Sequence, residues 1–175
     1  MHADLPGSLR LHADITVSVI APDGSVRASC TGPNVTCTSG LTAFAAALVW
    51  SGIEDQAANL GVTSPAYLAP LYGALGSGTG TAQAADTALF SELGRQTVGA
   101  GAASPATSSI AALCTWLFYF PPPPSPWTIT EAGVFAGANA AAGSGTMLDH
   151  YMLATPVPVS SPDTALLQVS LSVTG

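Results

Sequence analysis

WTITEAGVFAGANAAAGSGTMLDHYML, residues Trp127 to Leu153, is the stretch whose reading decides the fold. Thr128, Thr130 and Ala132 alternate with Ile129, Glu131 and Gly133, the period-two pattern of a pleated strand. A loop of Gly, Ala, Asn and Ser follows and leads to a second strand from about Thr146 to Leu153, so the segment predicts a hairpin. Its one acid before the loop is Glu131, set among apolar neighbours. A carboxylate buried there needs a partner, because an isolated buried charge costs several kcal/mol or becomes protonated. Arg95 is the expected partner, in a structural ion pair with Glu131; a general acid or base would need a second poised group in a cleft, and the sequence offers none.

Outward from this hairpin the same alternation recurs. Towards the C-terminus Leu167, Val169, Leu171 and Val173 point one way, and Gln168, Ser170, Ser172 and Thr174 the other. Upstream, Ile110, Ala112, Cys114, Trp116, Phe118 and Phe120 share one face of an expected central strand, which Pro121 to Pro124 end as a stiff, exposed connection. At the other end Leu11, Ala13, Ile15, Val17 and Val19 alternate with polar residues, Pro22-Asp23-Gly24 supplies a turn, and Val26 to Cys30 reads as the return strand. A short strand is expected around Asn34 to Thr38, and Ser39 is placed to cap a helix from about Leu41 to Trp50 with Leu41, Phe44, Ala45 and Leu48 on one side. Ser51 to Pro70 reads as a surface loop, and Tyr67 to Leu75 as a strand running into Gly76-Ser77-Gly78-Thr79-Gly80. Roughly eight strands and one helix in a single domain spanning residues 1–175 predict a mainly β fold, an antiparallel β-sandwich or jelly-roll-like architecture with one short α-helix.

Composition narrows the function. Charged residues make up 7% of the 175 positions, with three Arg, no Lys and a net charge of −7, against about 25% in ordinary globular domains. A chain so poor in charge is expected to cover much of its exterior with other subunits. Nucleic acid is an unsuited partner, since phosphate neutralisation needs clustered cations and Arg10, Arg27 and Arg95 are dispersed. No membrane association is expected, because neither a targeting signal nor an apolar run of about 18 residues is present. The Gly76 to Gly80 run is a turn and not a phosphate cradle, lacking the Gly-Lys-Ser/Thr ending.

Site chemistry is sparse. Cys30, Cys37 and Cys114 lack CxxC spacing, so zinc is not expected; Cys30 and Cys37 could bridge across TGPNVT if the flanking strands pair, with free buried thiols as the default. His2, His12 and His150 lack metal-site spacing, no Gly-x-Ser-x-Gly elbow is present, and no two acids suggest a glycosidase pair; no catalytic residue, cofactor or metal is assigned. Among the aromatic residues Trp50, Trp116, Trp127, Tyr67, Tyr72, Tyr119 and Tyr151, most are expected in the core, and Trp127, flanked by prolines, is the candidate exposed contact.

Three ordered segments, NVTCTSGLTAFAAAL (Asn34 to Leu48), YGALGSGTGTAQAADTALFSELGR (Tyr72 to Arg95), and TITEAGVF (Thr128 to Phe135) with SGTMLDHYML (Ser144 to Leu153), give the chain its clearest likeness. Together they resemble tailed-bacteriophage virion structural proteins over most of the chain. The resemblance implies a non-enzymatic virion part assembled in the bacterial cytoplasm: a capsid decoration or cement subunit, or alternatively a small tail-fibre or collar module that binds a host receptor or glycan. The implied partners are the major capsid protein or other virion proteins, with a homotrimer or homodimer as the assembling unit.

Overall fold

A computed structural model describes residues 10–42, 71–105 and 111–174. The expected loop Ser51 to Pro70, most of the expected helix to Trp50, and the start of the expected Tyr67 strand lie outside the described residues, as do His2, Trp50 and Tyr67.

Among the described residues ten strands form two five-stranded antiparallel sheets: β1 (Arg10–Ile20), β2 (Val26–Pro33), β3 (Val35–Thr36), β4 (Tyr72–Gly76), β5 (Glu92–Thr97), β6 (Ala100–Pro105), β7 (Ala111–Phe120), β8 (Trp127–Ala136), β9 (Thr146–Val159) and β10 (Thr164–Thr174). The first sheet has the order β2-β1-β10-β7-β6 and the second β3-β9-β8-β4-β5. Apolar residues from both meet in one core, with Ile15, Val17, Val19, Phe118, Phe120, Leu167 and Val169 from the first sheet against Leu75, Ile129, Ala132, Val134, Tyr151, Val157 and Val159 from the second. The fold is thus an antiparallel β-sandwich, as the alternation of strands predicts.

The β1–β2 turn is built as its sequence implies. Gly24 takes a φ of 84°, and Asp23 Oδ1 accepts from the Ser25 amide at 2.9 Å and the Ser25 hydroxyl at 2.6 Å, holding the Asp23 carboxyl below its ordinary pKa. Ladder pairing of β1 with β10 runs unbroken from Arg10↔Thr174 to Ile20↔Thr164. On the solvent side of this sheet hydroxyls face one another, Thr16 with Thr31 and Ser18 with Ser29, each at 3.0 Å. Gly73 of β4 sits against the first sheet with no room for a side chain, since a Cβ there would lie 2.5 Å from Phe118 Cγ.

Several local expectations are corrected. Pro123 is buried, although its three neighbouring prolines are exposed. Helical residues begin at Thr38, one residue before the expected cap Ser39, whose hydroxyl instead donates to the Met147 carbonyl at 2.6 Å. The alternation in β8 is also broken: a bulge between Ile129 and Glu131 resets the phase, so that Ile129 and Ala132 both point into the core. Glu131 is thereby turned to the other face of the second sheet, a recurrent use of bulges to re-aim a side chain. That outer face is not left to solvent. Residues 77–91 cross it as a strap, and with Cys37, Ala74, Phe135, Ala138 and Met147 the strap residue Leu89 makes a second apolar cluster.

Candidate functional site

Glu131 stands on β8 where the strap crosses the second sheet, and it is fully buried. Its Oε1 accepts the amides of Gly78 and Ser91, each at 2.8 Å, and its Oε2 accepts the Phe90 amide at 2.9 Å. Both ends of the strap are therefore pinned to one carboxylate. The pinning depends on glycine: a Cβ at Gly76 would meet Glu131 Oε1 at 2.5 Å, and one at Gly78 would also collide with it. Thr130, the residue inside the bulge, donates its hydroxyl to the Gly78 carbonyl at 2.6 Å, and the Ser77 amide donates to the Ser91 carbonyl at 2.8 Å.

His150 completes the group from β9, where its register partner is Gly133. Its Nε2 lies 3.0 Å from Glu131 Oε2 and its Nδ1 lies 2.6 Å from Asp86 Oδ2 on the strap. Asp86 also closes a tight turn by accepting the Gln83 amide at 2.8 Å. The result is a carboxylate–imidazole–carboxylate row in which His150 and Glu131 have no exposed side-chain surface and Asp86 retains 15%. The Phe90 ring meets the imidazole edge-on with centroids 5.0 Å apart.

Both ring nitrogens face acceptors, and only the doubly protonated imidazolium donates in both directions. Burial alone would depress the His150 pKa, but the hydrogen bonds to Glu131 and Asp86 outweigh it and the value is raised. Burial would likewise push Glu131 up, but hydrogen bonds from His150 and from the Phe90, Ser91 and Gly78 amides hold it below the ordinary glutamate value. A hydrolytic triad needs one imidazole nitrogen turned to a nucleophilic hydroxyl, and here both are turned to carboxylates. Beside the row lies a cleft of about 390 Å³ between strap residues Gly80 to Ala82 and strand residues Tyr151 to Ala154. Among the described residues no group of three His, Cys, Asp or Glu side chains is placed to hold a metal ion.

Arg95, expected beside Glu131, is committed elsewhere. Its guanidinium makes a bidentate pair with Glu92 through Nε and Nη2, at 2.6 Å and 2.7 Å, and its Nη1 reaches the Ser144 carbonyl at 2.9 Å and hydroxyl at 3.0 Å. It also stacks 4.5 Å from the Phe135 ring centroid. Arg95 therefore ties β5 to the β8–β9 loop, and the Glu131–Arg95 pair is replaced by Glu131–His150. The sequence separation of Asp86, Glu131 and His150 hides the row; the signal that could have shown it is the pair of side-chain-free positions Gly76 and Gly78 upstream of a lone buried acid.

The remaining expected sites are likewise placed. Cys30 and Cys37 are free and buried, not bridged: Cys30 lies in the inter-sheet core and Cys37 in the cluster on the opposite face. Cys30 Sγ is 3.9 Å from the Tyr151 hydroxyl, and burial pushes the Cys37 thiol up to about 12. Trp127 is half-buried against the core rather than exposed, its ring close to Gly94. Among the described tryptophans and tyrosines Tyr119 is the most open to solvent, at 55%. Comparison of the chain with protein-family models, with curated proteins and with solved structures gives no match in any of the three.

Proposed function

We propose that this chain is a non-enzymatic structural subunit of a tailed-phage virion, acting as a decoration or cement protein on the assembled capsid. The observation that carries the reading is the saturation of the buried Asp86–His150–Glu131 row by the chain's own groups. Glu131 is occupied by three backbone amides and His150, and the imidazole by two carboxylates. Such a row fastens one segment to another and leaves no ring nitrogen for a substrate. The motif likeness of Tyr72 to Arg95 and Thr128 to Leu153 to virion proteins supports the same reading, as does a surface with so few ions. The subunit would act as a trimer or dimer, and many shallow contacts with the major capsid protein, repeated by symmetry, would strengthen the shell without a single strong site.

The test is binding of the purified protein to mature empty capsids. A rise in their disruption temperature is the expected result, and no binding at saturating protein defeats the reading. One feature favours the tail-fibre or collar alternative: Tyr119 stands 55% exposed, with Gly99 against its ring and the exposed Val98 next to that glycine in the chain, and an exposed aromatic ring is the usual platform for a sugar face. Copy number per particle separates the two, matching the capsid lattice in the first case and the tail symmetry in the second.

A further inference from the structure

The strap formed by residues 77–91 contains no strand. Its polar fastenings to the rest of the fold are few, and most converge on three side chains. Gly78, Phe90 and Ser91 hang from Glu131, Asp86 hangs from His150, and the Gly78 carbonyl takes the Thr130 hydroxyl; elsewhere the Thr38 amide reaches the Ala84 carbonyl at 2.7 Å and Leu89 packs on the sheet. We propose that Asp86, His150 and Glu131 are a proton-operated latch: while the imidazole carries two protons the strap is fastened across the second sheet, and loss of one proton releases it.

The argument is one of donor count. A neutral imidazole has a single N–H, yet its two nitrogens face carboxylate oxygens at 2.6 Å and 3.0 Å. Deprotonation therefore sets a lone pair against a carboxylate at one of the two contacts, inside a region from which water is excluded and such repulsion is little screened. Among the described residues no other cation stands ready to replace the lost charge. The groups facing or flanking His150 are Asp86 from the strap, Glu131 from β8, Asp149 beside it on β9, whose side chain is directed to Asn34 and Thr36, and the Cys37 thiol. Arg95 is held by Glu92 and the Ser144 carbonyl.

The strap is also where a proton can enter. Asp86 is the only member of the row with exposed side-chain surface, and Phe90, which lies edge-on to the imidazole, is itself 46% exposed. Opening would carry Phe90 and Leu89 away from the sheet and uncover Phe135 and Met147, both buried beneath the strap in the closed form. A pH rise thus converts a closed, polar-fastened face into an apolar one.

The test uses the full chain labelled with nitrogen-15. The ring shifts of His150 are followed from about pH 5 to about pH 10, together with amide protection at Gly78, Phe90 and Ser91, referenced to Val17 and Leu167 in the first sheet. Protection of the three strap amides is expected to fall about tenfold or more relative to the references in the same step in which His150 loses its proton. Asp86→Asn, which removes one of the two facing charges, is expected to move that step down by about one pH unit or more. The proposal is overturned if the strap amides stay protected through His150 deprotonation, if the Asp86→Asn step coincides with wild type, or if Val17 and Leu167 lose protection in the same step, which would be global unfolding. The wild-type titration decides the matter even where the variant fails to fold.

Discussion

Replacing Glu131 with Gln tests the row with the least change of shape. The amide oxygen can still accept from Gly78 and Ser91, at the position where Oε1 lies 2.8 Å from each. The amide nitrogen then occupies the place of Oε2, where it faces two donors, the Phe90 N–H at 2.9 Å and His150 Nε2 at 3.0 Å. The Phe90 N–H is left unsatisfied at about 1–3 kcal/mol, and His150 must give up its Nε2 proton so that this nitrogen accepts from the new amide, a loss in line with about 3–5 kcal/mol for removing one partner of a buried ion pair. At about 2–4 °C per kcal/mol for a domain of this size, Glu131→Gln should lower Tm by about 6–20 °C in a calorimetric melt at neutral pH. A fall below about 3 °C would refute the reasoning. Combination with Arg95→Met sharpens the test. Glu131 and Arg95 share no hydrogen-bond partner, so their effects should add within about 0.5 kcal/mol, whereas a larger coupling would restore the pair that the sequence suggests.

The remaining predictions concern pH, an unsatisfied acid and one glycine. The raised His150 pKa gives a contribution fully present below the ordinary histidine value of 6.5 and lost as pH rises through the folded value. The lowered Glu131 pKa gives one present above the ordinary 4.5 and lost as pH falls through the folded value. Thermal melts of the wild type should therefore lose this stabilisation on both flanks, and the loss of the alkaline flank in His150→Gln checks that one. Asp149 carries a buried Oδ1 without a partner, and burial raises its pKa from 3.8 to about 6. The folded state consequently holds an extra proton between those values, and stability is given up as pH rises across them. Asp149→Asn should stabilise the protein at pH 7 by about 1–2 kcal/mol and leave it nearly unchanged near pH 4, read from denaturant midpoints. Gly73→Ala drives a Cβ to 2.5 Å from Phe118 Cγ and 2.9 Å from Leu167 Cδ2, and overpacking of this kind should cost about 1–3 kcal/mol in the same assay.

The strands at the two ends of the chain were legible because one face of each is solvated, so polar and apolar residues alternate: Ala13, Ile15, Val17 and Val19 are buried where the pattern places them, as are Leu167 and Val169. β5 and β6 were not. Glu92 to Thr97 and Ala100 to Pro105 are short, rich in small or charged residues, and become strands through pairing with β4 and β7, a tertiary effect that local propensity does not carry. The sequence marks Glu131 as a buried acid in need of a partner but points to the wrong one. Charge type alone favours Arg95, whereas the bulge after Ile129 decides which face Glu131 takes, and that face holds His150 and the strap. Asp86 could not be singled out, since its role depends on a segment without regular structure crossing the sheet.

The paired hydroxyls on the open face of the first sheet have a consequence for handling the protein. Thr16, Thr31, Ser18 and Ser29 hydrate that face by neutral dipoles, and of the three arginines Arg95 is buried while Arg27 is neutralised by Asp163 at 3.0 Å. A surface wetted by alcohol groups offers little for mobile ions to screen. Changes in ionic strength should then do little to contacts made through this row of hydroxyls, whatever they do to the rest of a chain of net charge −7, and what drives the row onto a neighbour is the release of ordered water.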